Sequence, residues 1–143
     1  MIVVGSRPKD EHAPLLSGKS LDVYVIAGLG SDHECINPKE AIEKLRKNMH
    51  IMIRPGAHKK NLRDLIPLMI SIAFIWALFQ VTQLTYPKEN GHLDYLIRTA
   101  ISFGLPPIRA IQMASINTAR YFGLKDLGSI APGFRADFIL LDA

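Results

Sequence analysis

Residues 31–54 read SDHECINPKEAIEKLRKNMHIMIR, and their passage from polar to amphipathic to apolar decides the fold. Asp32, His33 and Glu34 stand together where an apolar run gives out. A helix start follows at once: Asn37 suits the N-cap, Pro38 the first helical position, and Glu40 is spaced to answer the cap. Ile42, Leu45 and Met49 share one helical face, while Lys and Arg gather in the C-terminal half, where the helix dipole favours cations. HIMIR, residues 50–54, then reads as a short buried strand stopped by Pro55 and Gly56.

The same alternation extends outward. IVV at 2–4 reads as a short strand. Over residues 17–30, Leu21, Tyr24, Val25 and Gly28 fall at helical spacing, with Ser17 or Ser20 to cap the start and Gly28 and Gly30 to turn the chain into Asp32. Residues 91–104 place Leu93, Leu96, Ile97, Ala100 and Ile101 on one helical face, with Gly104 as the stop. Residues 106–123 read as one further helix, entered through Pro107 and left at Gly123. APGF at 131–134 is a turn signal, and ADFILLD at 136–142 reads as a strand. Helix and strand in alternation with short loops predict parallel β-α units, in a barrel or an open sheet.

Composition narrows the classes of function. The 143 residues suffice for one domain with a core, and 48% hydrophobic against 21% charged residues is a globular balance. The formal charge is +4, but the basic residues are scattered and not interleaved with aromatics, which argues against a nucleic-acid partner. A single cysteine, Cys35, excludes an internal disulfide and suits a reducing, cytoplasmic setting. The N-terminal MIVVGSRPKDEHAP lacks the layout of a signal peptide. Residues 65–81, LIPLMISIAFIWALFQV, carry no charge and approach a membrane-spanning length, which leaves a small membrane-associated protein as a lower alternative. With Pro67 and Gln80 in that stretch, a buried helix followed by a buried strand is the expected form.

The versatile polar groups fall where strands hand over to helices: His12 before the first long helix, Asp32, His33 and Glu34 before the second, and Arg54 at the end of HIMIR. In parallel α/β architecture that edge gathers ligands and catalytic groups. His12 and His33 could supply half of a divalent-metal ligand set, with Glu34 moving a proton to and from a water that the metal activates. A plain solvated or locally bonded histidine is the competing reading for each. His50, His58 and His92 suit capping or surface roles, Asp94 suits the first turn of its helix, and Cys35 suits a buried structural thiol.

HAPLLSGKSLDVYVIAGLGSDHE (12–34) resembles adenine deaminases of the amidohydrolase superfamily, and AIEKLRKNMHIMIR, KNLRDLIPL and GHLDYLIRTAIS continue the resemblance. The segment 113–142 is similar to the closing part shared widely across amidohydrolases. The resemblance implies hydrolysis of adenine to hypoxanthine and ammonia on one or two divalent metals, manganese or iron. It implies a partial (β/α)8 TIM-type barrel, covering the region of its fifth to eighth strands over residues 1–122, and a return of the chain to a small β-sandwich domain over 123–143. It makes His12 and His33 metal ligands, Glu34 a catalytic proton carrier and Arg54 a substrate-binding residue.

The departures set a second expectation. No His-x-His occurs, Gln83 and Leu84 stand where the family pairs two acids, and Pro55 stands where it has an acidic residue. The Pro87–Gly91 connection is shortened. Two imidazoles are too few for a tight catalytic site. The sequence therefore predicts activity impaired or absent in this chain alone, with an N-terminal half or a homo-oligomer as the partner that would complete it. A non-catalytic remnant is the alternative.

Overall fold

A computed structural model describes residues 8–54, 61–71, 77–79 and 93–140. The expectations for residues 2–4, Pro55, His58, Gln83, Leu84, His92 and the Pro87–Gly91 connection lie outside the described residues. Four strands form one parallel sheet in the consecutive order β1 (Lys9–Glu11), β2 (Leu29–Asp32), β3 (His50–Ile53) and β4 (Ala77–Phe79). Helix α1 (Gly18–Ile26) connects the first pair, α2 (Pro38–Arg46) the second and α3 (Leu62–Ser71) the third. Helices α4 (Leu93–Ser102), α5 (Pro107–Ala114) and α6 (Ile116–Tyr121) follow. The α/β class with parallel β-α units is thus as the alternation predicts.

The period of two along a strand separates two environments. Ile51 and Ile53 point into the main core, where Leu45 of α2, Leu65 and Ile66 of α3, and Leu96 of α4 meet them. Met52, between them, points to the opposite face and packs on Tyr121 of α6. Asp10, Ser31 and His50 lie in register across β1, β2 and β3. The hydrogen bond between the Ser31 and Tyr121 hydroxyls and the tilted contact of the His50 ring with Tyr121 put them on that same face.

Helix α2 forms as its sequence dictates. The Asn37 side chain accepts the Glu40 N–H at 2.9 Å, and Pro38 opens the helix. Glu40 reaches back one residue further than a capping box would, accepting the Ile36 N–H at 3.2 Å. Asn48 ends the element in the left-handed region, φ 65°, a conformation that asparagine tolerates at a helix C-terminus. Lys44, one of the cations near the C-terminal end of the helix, is fully buried and held by two carboxylates.

Several expectations are corrected. The helix read over 17–30 stops at Ile26. Gly28, at φ 87°, turns the chain, and residues 29–32 form a strand because β1 and β3 lie on either side to pair with it. Ser17 holds the N-cap position of α1 without a side-chain cap bond; Glu43 of α2 accepts the Gly18 N–H instead, at 2.7 Å. The apolar 65–81 stretch, by contrast, yields a helix and then a strand, α3 and β4, in the order expected, and among the described residues no helix is long and apolar enough to cross a membrane. Residues 136–140 form no strand, and Phe138, Ile139 and Leu140 are exposed. A strand needs a neighbour for its N–H and C=O groups, and no sheet edge among the described residues pairs with this segment.

The single helix expected over 106–123 is broken at Ser115, whose backbone (φ −127°, ψ −92°) is not helical. The following turn presses on this break. A Cβ on Gly128, at φ 84°, would come within 2.7 Å of Ile116 Cα and 2.9 Å of the Ser115 carbonyl carbon. Gly128→Ala is therefore expected to lower the stability by more than the roughly 1–2 kcal/mol that a left-handed backbone alone costs an L-residue. Urea unfolding of the two proteins side by side measures it, and equal midpoints would refute the close approach.

Candidate metal centre

His12 directly follows β1 and His33 directly follows β2, so the parallel pairing of these strands sets the two imidazoles side by side. Their ring centroids are 4.4 Å apart, meeting edge to face at 61°. Glu34 completes the group: one potential ligand atom from each of His12, His33 and Glu34 lies within 4.8 Å of the others. His33 and Glu34 are largely covered, with side chains 13% and 17% exposed, whereas His12 is open to solvent at 61%.

The orientation of His33 comes from a chain of hydrogen bonds on the Tyr121 face of the sheet. Its Nδ1 is 2.8 Å from Asp10 Oδ2, and a carboxylate only accepts, so Nδ1 carries a proton, and in the neutral ring Nε2 is the nitrogen with the lone pair. Asp10 Oδ1 accepts the Ser31 hydroxyl at 2.7 Å, which makes the Tyr121 hydroxyl, 2.6 Å away, the donor to Ser31. Burial holds the Tyr121 phenol above its ordinary value; the Ser31 bond opposes this and the Asp10 charge adds to it. Such a carboxylate behind a histidine fixes the tautomer that metal ligation requires.

Glu34 is fixed at three points. Its N–H donates to Asp32 Oδ1 at 2.9 Å, and its Oε1 accepts from Arg54 Nη2 at 3.0 Å and lies 3.6 Å from His12 Nδ1. Arg54, expected at the end of β3, is held there by Asn61, whose Oδ1 accepts the Arg54 N–H at 2.8 Å. The four residues singled out in the sequence thus converge on one strand edge. Asp10, Ser31, Tyr121 and Lys44 were missed. The only local signals were the position of Asp10 two residues before His12 and the Glu40–Lys44 spacing of four.

A second group, Asp32, Cys35 and Glu40, has metal-ligand residue types in reach of one another, but it already holds a cation, the Lys44 ammonium. The first group fits a divalent metal in kind. Two imidazoles and a carboxylate suit a borderline ion, a partner already orients one imidazole, and the set leaves coordination positions for ligands from elsewhere.

Residues 7–143 match the sequence pattern of the Amidohydrolase family. The chain belongs to that family. It is 50% identical over 139 residues to an adenine deaminase of Oleidesulfovibrio alaskensis, covering 93% of this chain and 24% of the relative. An adenine deaminase of Dehalococcoides mccartyi is 48% identical over 142 residues, covering 98% of this chain and 25% of the relative. For adenine deaminase 1 of Rhizobium meliloti the identity is 47% over 137 residues, covering 94% and 24%. The chain spans about a quarter of the length of these curated relatives.

Two other titratable groups near the strand edge are perturbed by burial. Burial, reinforced by the Glu40 charge and opposed by Lys44, pushes the Cys35 thiol up to about 12, and its Sγ–H points at the Asn37 carbonyl. This is the structural thiol expected of Cys35. Under native conditions a disulfide reagent at pH 8 should leave it unmodified and label it fully in denaturant; fast native labelling would contradict its burial. His50, expected in a capping or surface role, is half-buried with its ring 4.6 Å from that of Tyr121. Burial lowers its pKa below 6.5, with a Gly30 backbone hydrogen bond opposing. A base depressed on folding binds more protons unfolded, so its contribution is present above pH 6.5 and is lost as pH falls toward the folded value. The melting temperature of His50→Phe should accordingly fall less between pH 7 and pH 5 than that of the unaltered chain, as circular dichroism would record.

Proposed function

We propose that this chain is part of an adenine deaminase and supplies His12 and His33 as metal ligands and Glu34 as the proton carrier. The observation that carries the reading is the convergence of these three side chains at adjacent strand ends. The convergence lies within a segment about half identical to adenine deaminases. Their reaction, so named, adds water and releases ammonia, turning adenine into hypoxanthine; a related purine is the other substrate the site would take.

A divalent metal, manganese or iron, held by His12 and His33 would supply Lewis-acid activation of the attacking water. The protein's own residues do the rest. Asp10 keeps the His33 Nε2 lone pair available. Glu34 accepts the proton that the attacking water loses and returns a proton to the departing amine. Arg54 restrains the Glu34 carboxylate and lines the substrate side of the site.

The consecutive parallel order of β1 to β4 supports reading residues 1–122 as a partial (β/α)8 barrel. The exposed Phe138–Leu140 segment supports reading 123–143 as the return to a small β domain that lies elsewhere in a longer enzyme. A cytoplasmic setting suits the lone thiol. The coverage of about a quarter of each relative, with Gln83 and Leu84 in place of acids, favours an activity that needs the remainder of the enzyme over one carried by these residues alone.

The test is adenine loss, followed by ultraviolet absorbance with added manganese. The expected result is no turnover by the chain alone and turnover once a polypeptide covering the remainder of a relative is added, abolished by His33→Ala. Silence from the pair as well would replace the deaminase reading with that of a non-catalytic remnant.

A further inference from the structure

Neither the sequence pattern nor the proposed chemistry uses Lys44, the largest fully buried side chain among the described residues. Its ammonium has three protons and three acceptors: Asp32 Oδ2 at 2.6 Å, Glu40 Oε1 at 2.5 Å and the Ala13 carbonyl at 2.5 Å. Burial pushes the Lys44 pKa down, but the bonds to Asp32 and Glu40 outweigh it and leave the group above its ordinary value. The amine is therefore a fixed cation at any physiological pH.

What its partners hold is the backbone beside the candidate ligands. Ala13 follows His12; its carbonyl is bound by Lys44 and its N–H donates to Asp32 Oδ1 at 3.3 Å. Asp32 precedes His33, and the same oxygen accepts the Glu34 N–H, so the residues on both sides of His33 are tied to one carboxylate. Glu40 Oε1 accepts the Leu15 N–H at 2.7 Å, and its Oε2 accepts the Ile36 N–H at 3.2 Å. Leu15 stands at φ 60°, a region that a bulky side chain occupies only under constraint. The loop leaving His12 is thus strained, and the carboxylate that holds it is itself held by Lys44.

We infer that Lys44 is a positioning residue of the metal centre: through Asp32, Glu40 and Ala13 it clamps the β1 and β2 exits and so fixes the spacing of His12 and His33. Lys44 does not touch the ligands. Seated on α2, it acts by tying the loop of its own β-α unit, through Asp32 and Glu40, to the loop of the neighbouring one, through the Ala13 carbonyl. The inference rests on the proposed metal role of the two histidines and names what holds them in place.

Two readouts separate this role from general stability. On the unaltered chain and on Lys44→Met, both shown to be folded by circular dichroism, cobalt(II) affinity is measured by its visible absorption. In the metal-free proteins the proton cross-peak between the His12 and His33 rings is followed by NMR. The expected result for Lys44→Met is cobalt binding weakened about 10–100-fold, as for other groups behind metal ligands, with the cross-peak lost. Affinity within threefold and an unchanged cross-peak in a folded Lys44→Met overturn the inference. Should Lys44→Met fail to fold, Glu40→Gln, which keeps an acceptor but loses the charge that binds Lys44, is judged by the same two criteria. Should the unaltered chain alone bind no cobalt, as a site short of ligands allows, the cross-peak decides: its loss in a folded Lys44→Met supports the inference and its persistence overturns it.

Discussion

The Lys44 ammonium, buried between Asp32 and Glu40, is the interaction on which the arrangement at the strand edge depends. Two carboxylates around one cation leave a net negative charge in a dry place, which a bare ion pair would not tolerate. Here the surplus is dispersed over main-chain N–H groups of Ala13, Leu15, Glu34 and Ile36. The charge and the loops are therefore solutions to each other: the loops supply donors that no helix or sheet uses, and the carboxylates supply acceptors that water cannot reach. Removing one member of such a group leaves the others buried and unmatched, at a cost of about 3–5 kcal/mol.

The sheet divides its labour by face. Toward the helices it offers Ile51 and Ile53, which only fill space. Toward Tyr121 it offers Asp10, Ser31 and His50, polar side chains in register on three neighbouring strands. The exits of β1 and β2, between these two faces, carry His12 and His33. Polar side chains on a covered sheet face must be matched by hydrogen bonds, and here Asp10, Ser31 and Tyr121 match one another and hold the His33 ring.

How much of this was legible follows from the range of each interaction. Helix α2 could be read because its cap, its proline and its apolar face lie within a dozen residues. The convergence of His12, His33, Glu34 and Arg54 could be read as well, since parallel alternation alone carries each to a strand end. Strand β1, with the sequence KDE, has no apolar alternation to betray it; it exists because β2 offers it a partner. Lys44 looked like any cation in the last turn of a helix, and only the arrival of Asp32 and Ala13 from other elements makes it a buried one. The converse error occurred at residues 136–140. Their apolar run has the composition of a strand and lacks the neighbour that would make it one.

The bond between Ser31 and Tyr121 joins residues 90 positions apart. Contacts of that separation form only after the intervening chain has been gathered, because the loop-closure entropy must be met first. The His12 and His33 loops can meet early, through partners on β2 and α2 that lie within a few dozen residues. The orientation of the His33 ring, in contrast, waits for α6 to dock and steady Asp10 through Ser31. The strand edge is therefore built on two ranges of contact: the spacing of the two imidazoles rests on partners within a few dozen residues, and the steadying of one of them reaches across to the C-terminal third of the chain.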